Sequence, residues 1–410
     1  MLGVSPVTVA SAYRDLRRRG VVTAAGRRGT RVSGRPPVSI AAAARPGLPK
    51  DARDQATGNP DPDLLPSLAS ALASVGPSPR LYGSPPKLES LAELARRRFE
   101  ADGIAADHLA FAGGGLDGIE RVLAAHLRPG DTVVVENPGY ARIFDLLRGA
   151  GFELDGVSCD DFGPLPDDLD RALRRASAVI LTPRAQNPTG AALDRRRVRE
   201  LRAVLSIRPE AFIVEDDHAD AIAGVPALTV CNRDRSRYAV VRSVSKTLGP
   251  DLRFGVIGGD AETIARMEGR QSLGAGWVSG IIQQLAVNMW SDPSVDQLLS
   301  RAAHTYTTRR TALIDALAER GISAHGRSGL NVWIPVPEEA AVVSGLLERG
   351  WAVAAGERWR LETIPVRRGD PRTMRTPPAI RVTAATLAAQ DARRFADDLA
   401  GVLVERRYSA

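Results

Sequence analysis

The chain has 410 residues, 44% hydrophobic and 25% charged, the balance of a globular protein long enough for two or three domains and a large core. No run approaches the ~18–20 apolar residues of a membrane span, no signal-peptide core opens the chain, and no metal spacing is set by Cys159, Cys231 and five scattered histidines, so a reducing, cytoplasmic setting without membrane or metal is expected. The net charge of +7 is local: residues 1–45 hold nine arginines against the single acid Asp15, and all that follows sums to about neutral.

A basic block of this kind suits a polyanion such as DNA, the alternative being a solvated tail. Within it, Ser5 is placed to cap a helix with Pro6 in its first position. Val9, Ala12, Tyr13 and Leu16 form an apolar stripe at helical spacing, Arg14, Arg17 and Arg18 lie off it, and Gly20 ends the helix. Two β-type runs follow, Val21–Thr23 and Thr30–Val32, around a loop carrying Arg27 and Arg28. A helix followed by a basic hairpin is the recognition-helix-and-wing half of a winged helix-turn-helix. Its first half is not in the chain as written, so Val9, Tyr13 and Leu16 are expected to lack local partners.

Residues 34–56, rich in Ala, Pro and Arg, read as a linker. Beyond residue 57 short apolar runs alternate with helical patterns. The runs are Thr132–Val135, Ala178–Leu181, Phe212–Val214, Ala239–Val241 and Val256–Ile257; helical stretches include Leu116–His126 and Arg195–Leu205. This predicts an α/β domain with a mostly parallel sheet covered on both faces, at 57–300. A long polar helix pattern, strands at Leu330–Ile334 and Ala379–Val382 and a last helix predict a smaller α+β domain at 301–410.

Ligands of open α/β sheets bind at the carboxyl ends of the strands. Four predicted strand ends deliver Tyr140, Asn187, the pair Asp216 and His218, and Lys246 to one rim. A half-buried lysine amine can form a Schiff base with an aldehyde, and an acid beyond a neighbouring strand can hold a protonated pyridine nitrogen. Ser243, Ser245 and Arg253, with the small-residue turn Ala112–Gly115 opening a helix, can hold a phosphate. Together these requirements describe pyridoxal phosphate (PLP). Singly each has a blander reading: a lysine is more often a surface group, a glycine triplet a turn, and an aspartate a cap.

The segments "YGSPPKLESL", "FAGGGLDGIE", "ENPGY", "NPTG", "EDDH", "SVSKTLGPDLRFG" and "AIRVTAATL" follow one another in the order found in fold-type-I PLP-dependent aminotransferases, which residues 57–410 resemble. With "LGVSPVTVASAYRDLRRRGVVTAAGRRGT" in front, the whole chain resembles the MocR branch of GntR-type bacterial regulators, PtsJ-like members included. The resemblance implies roles. Lys246 bonds the cofactor, Asp216 pairs with its pyridine nitrogen, Asn187 with its phenolic oxygen, and Tyr140 stacks on the ring. Gly113, Gly114, Ser243, Ser245 and Arg253 take the phosphate. Arg381 grips the α-carboxylate of a substrate or effector, and Tyr82 reaches a partner subunit, so a homodimer is implied. Ser5, Thr8, Arg14, Arg17, Arg18, Arg27 and Arg28 would face DNA.

Three positions depart from the regulators' pattern. Asn187 stands where many have an aromatic residue, His218 where they have a tyrosine, and Gly115 where glutamine is commoner. His218 either contacts the phenolic oxygen, acts as a base, or merely fills the tyrosine's place. The expected function is a PLP-binding transcriptional regulator sensing PLP or an amino compound; the alternative is an aminotransferase acting between an amino acid and a 2-oxo acid.

Overall fold

The computed structural model describes residues 5–18, 22–24, 29–32, 48–49, 51–76, 80–361 and 376–407. Its centre is an eight-stranded sheet. In spatial order the strands are His108–Ala112, Gly255–Gly259, Tyr238–Ser243, Phe212–Asp217, Ala178–Leu181, Thr132–Asn137, Glu153–Asp160 and Gly163–Pro164. Six strands run parallel; Gly255–Gly259 is antiparallel to both neighbours, and Gly163–Pro164 turns back on Glu153–Asp160. The mostly parallel α/β expectation holds, with one reversal that apolar runs do not encode.

The strand period of two explains why both faces are covered. Val133, Val135, Ala178, Ile180, Phe212, Val214, Ala239 and Val241 join one buried cluster, while Val134, Val179, Leu181, Ile213 and Val240 join another on the opposite face. The predicted runs lie inside the observed strands. Helices Gly115–His126 and Arg195–Ser206 confirm the periodicity within a residue. The strands His108–Ala112 and Glu153–Asp160 were not expected.

Helix Pro293–Ala318 leads into the smaller α+β part, whose antiparallel sheet orders Asn331–Pro335, Ala379–Thr383 and Ala354–Ala355. Helices Glu339–Glu348 and Ala389–Arg407 cover it around Leu313, Trp351, Ile380 and Phe395. Arg53–Asp54, at the end of the stretch read as a linker, pairs with Trp351–Ala352 of this part.

At the front, helix Pro6–Arg18 begins as expected: the Ser5 Oγ accepts a hydrogen bond from the Thr8 amide at 3.2 Å. Val22–Ala24 and Thr30–Val32 pair antiparallel. Val9, Tyr13 and Leu16 are exposed, leaving the apolar stripe uncovered. Gly20, Arg27 and Arg28 lie outside the described residues, as do the side chains of Arg14, Arg17 and Arg18.

Candidate functional site

The parallel strands bring their carboxyl ends to one rim. Lys246 follows strand Tyr238–Ser243 and its Nζ donates to the Gly58 carbonyl at 2.6 Å. Burial, helped by the Arg381 charge, pushes its pKa down to about 8. On the neighbouring strand Asp216 shares the face of Val214. Burial, with the charges of Asp217 and Glu136, raises its pKa to about 7. Among the described residues Asp216 accepts no hydrogen bond; the His218 Nδ1 stands 3.8 Å away. Burial and the Lys246 charge bring the His218 pKa down to about 4, so its ring is neutral at physiological pH.

Asn187 comes from the loop after Ala178–Leu181, and Arg381 from the middle strand of the small sheet. The Arg381 Nη1 donates to the Asn187 Oδ1 at 2.9 Å, its Nη2 to the Ala56 carbonyl at 2.6 Å. The guanidinium lies over the Trp359 ring, 4.5 Å from its centroid. Tyr140 precedes helix Ala141–Gly149, with burial raising its pKa.

The phosphate candidates meet where three strands end side by side: Gly255 pairs with Ala112 on one side and Ser243 on the other. Because Gly255–Gly259 runs backwards, its first residue reaches this rim, and Arg253 just before it arrives with it. The Arg253 Nη2 donates to the Gly113 carbonyl at 3.3 Å. A Cβ on Gly114, whose φ is +114°, would stand 2.7 Å from that nitrogen; one on Gly115 would stand 3.3 Å from the Ser243 Cβ and 3.9 Å from the Asp216 Oδ1. The Ser243 and Ser245 hydroxyls are 3.0 Å apart. Two hydroxyls, a guanidinium and the start of helix Gly115–His126 thus come together at a spot where only glycine lets the backbone approach so closely.

Sequence reading did not find the groups behind this rim. Asp217, on the opposite strand face from Asp216, takes two hydrogen bonds from Arg184 at 2.7 and 2.8 Å and one from the Arg242 Nε at 2.9 Å. The Arg242 Nη2 reaches Asp102 at 2.7 Å. The doubled acid of "EDDH" was the available signal. Glu136 was also missed. Its buried carboxylate accepts from the Thr182 amide and the Gln186 side chain, and burial lifts its pKa to about 7.

The structure therefore gathers Lys246, Asp216, Asn187, Tyr140, His218, Gly113, Gly114, Ser243, Ser245, Arg253 and Arg381 at one rim. Tyr82 is apart from them, 92% exposed, its ring edge-on to Trp277 at 5.7 Å. No described helix is long and apolar enough to cross a membrane, and no described group of His, Cys, Asp and Glu could hold a metal ion.

Residues 53–399 match the family described as aminotransferase class I and II, whose cofactor is pyridoxal phosphate. The chain is 38% identical over 358 residues to the vitamin B6 salvage pathway transcriptional repressor PtsJ of Salmonella typhimurium, covering 87% of this chain and 83% of that protein. It is 28% identical to the HTH-type transcriptional regulator TauR of Rhodobacter capsulatus, covering 82% and 77%. Among solved structures it superposes on a multiple substrate aminotransferase from Thermococcus profundus with a TM-score of 0.77 at 20% identity, covering 88% and 93%. The fold is thus that of fold-type-I aminotransferases, and the chain belongs to the class I and II aminotransferase family, within the MocR branch of GntR-type regulators.

Proposed function

We propose that the protein is a PLP-binding transcriptional regulator: the aminotransferase-like domain senses PLP or an amino compound, and the basic N-terminal segment contacts DNA. The observation that carries this reading is the union, in one chain, of the rim of Lys246, Asp216, Asn187 and Arg381 with a helix and hairpin in a nine-arginine segment. The likeness to a B6-pathway repressor along most of both chains supports it. A role on DNA supports a cytoplasmic setting.

The residues fit the cofactor. Asp216 is a buried carboxyl without a hydrogen bond among the described residues, and the bare Gly114–Gly115 backbone lies against Ser243 and Arg253, where any side chain would intrude. When bound, PLP supplies an aldehyde that bonds amines and a ring that withdraws electrons. Lys246 would hold the aldehyde. With its pKa near 8, roughly one amine in ten is neutral and nucleophilic at pH 7. Asp216 would hold the pyridine nitrogen, Asn187 and neutral His218 the phenolic oxygen, and Tyr140 a face of the ring. Gly113, Gly114, Ser243, Ser245 and Arg253 would hold the phosphate, and Arg381 a ligand carboxylate.

Tyr82 and Trp277 meet edge-on, and Leu81 and Ile281, close to them in sequence, are exposed too, which supports a homodimer in which Tyr82 serves the other subunit's site. The aminotransferase alternative draws on Asn187, an asparagine where many of the regulators have an aromatic residue, and on its hydrogen bond to Arg381.

The test has two arms. Reconstitution with PLP gives a visible absorption band that Lys246→Ala abolishes; a band that survives the change overturns the site. The full chain binds DNA beside its own gene with steep salt dependence, and Arg17→Ala with Arg18→Ala weakens binding about tenfold. Indifference to DNA, together with many turnovers of an amino donor with a 2-oxo acid, moves the reading to the enzyme.

A further inference from the structure

Gln186 is fully buried and directly precedes Asn187, and its side-chain amide is engaged on both ends. The Nε2 donates to the Glu136 Oε2 at 3.1 Å and to the Pro138 carbonyl at 2.8 Å. The Oε1 accepts from the Thr189 amide at 3.0 Å and from the Thr189 hydroxyl at 2.6 Å. Two acceptors on one side and two donors on the other leave the amide a single orientation. Glu136 enforces it. Its other oxygen, Oε1, accepts the Thr182 amide at 2.9 Å, just beyond strand Ala178–Leu181. This place asks one side chain for two acceptors, and a carboxylate supplies both. A glutamine there would leave one buried donor unpaired.

The segments joined in this way carry two groups of the rim. Asn187 follows Gln186, and Tyr140 lies two residues beyond Pro138. Between them the turn at Gly139 is so tight that a Cβ there would collide with the Glu136 carbonyl. Glu136 and Tyr140 also line one small pocket, together with Thr182 and Phe144. Since Tyr140 is read as facing the PLP ring and Asn187 as holding its phenolic oxygen, the bond from Gln186 to Glu136 sets the spacing of two groups that come from different strands. Glu136 has no cation at ion-pair distance among the described residues, so its burial is costly. An apolar pair would fill the space at less cost and fix no register between the two loops.

We infer that Glu136 is a positioning residue of the cofactor site: acting through Gln186, it holds Asn187 and Tyr140 at the spacing that grips PLP. This rests on the PLP-site reading and deepens it by a tier of residues behind the rim.

The experiment titrates the cofactor-free full chain with PLP and reads affinity from the visible band. Glu136→Gln is expected to weaken binding about tenfold. Thr189→Val, which removes one donor from the far end of the same amide, weakens it about threefold. Glu215→Gln is the control. Glu215 is also a buried carboxyl, accepting from the Thr229 hydroxyl at 2.7 Å and the Val230 amide at 2.6 Å, with its side chain on the opposite strand face from Asp216. Its substitution makes a similar lesion and is expected to change PLP affinity by less than about twofold. The deciding measurement is a double-mutant cycle. In a chain already carrying Asn187→Ala and Tyr140→Ala, Glu136 has nothing left to position, and Glu136→Gln changes affinity by less than about twofold. A merely structural role would carry the full loss into that background. If Glu136→Gln does not fold, Thr189→Val runs the same cycle. The inference is overturned by unchanged affinity in both variants, by a loss that persists undiminished in the doubly substituted background, or by an equal loss in Glu215→Gln. A protein that shows no band, or keeps it in Lys246→Ala, fails the PLP reading instead, so the two failures are distinct.

Discussion

Asp216 and Asp217 are consecutive, both buried, and driven in opposite directions. The strand period puts them on opposite faces of the sheet. Asp217 is also penalised by burial, but the guanidiniums of Arg242 and Arg184 hold its carboxyl well below the usual range. Asp216 has no such counter-charge: burial, Asp217 and Glu136 lift it to about 7 from an ordinary 3.8. The unfolded chain therefore loses this proton first. Between those two values stability falls as pH rises, and it stays lowered above pH 7. Asp216→Asn removes the penalty. In denaturant titrations of the cofactor-free protein it is more stable than the unaltered chain at pH 8, by on the order of 4 kcal/mol, and close to it near pH 3. The same change weakens PLP binding, since the amide brings no charge to a pyridinium. Equal stability at pH 8 would mean that the carboxyl is solvated and unstrained.

At the scale of elements, strands buried on both faces were legible because such strands are apolar runs: Ala178–Leu181 was read to the residue. Glu153–Asp160 was not, because a strand next to the edge with mostly half-buried residues carries no run. The reversal of Gly255–Gly259 was equally hidden, although it is what delivers Arg253 to the rim. The candidates Tyr140, Asn187 and Lys246 were legible because each follows a strand, whereas Asp216 and Arg381 lie within strands and Arg253 comes just before one. The arginine–aspartate knot behind them was not, because its members lie far apart in sequence: Arg242 meets Asp102 across 140 residues. That knot ties the loop of Arg184, two adjacent strands and the end of helix Glu89–Ala101 at the level of the site. Asp217→Ala leaves two buried guanidiniums short of their counter-charge, an expected loss of about 3–5 kcal/mol in chemical denaturation. Arg233→Ala, which breaks the exposed pair with Asp107, is expected to leave the unfolding midpoint nearly unchanged.

Across the whole molecule, two features have no match within one chain. The positive charge is concentrated in the first 45 residues, and the apolar surface of Leu81, Tyr82, Trp277 and Ile281 is open to solvent. The proposed homodimer answers both. It covers the apolar surface, and it joins two basic segments in one particle, so that DNA binding by the second becomes intramolecular. The slope of log affinity against log salt counts the phosphates neutralised, so a dimer using both segments shows about twice the slope of a single chain. Leu81→Asp with Ile281→Asp places charge in the apolar surface. Light scattering should give a dimer for the unaltered chain and a monomer for this variant, and the salt slope on DNA should fall by about half. PLP affinity should fall too, because Tyr82 no longer reaches a second site. A variant that stays dimeric removes this surface as the interface. A monomer that keeps the full slope would mean that one basic segment makes all the phosphate contacts, and that pairing serves the cofactor site alone.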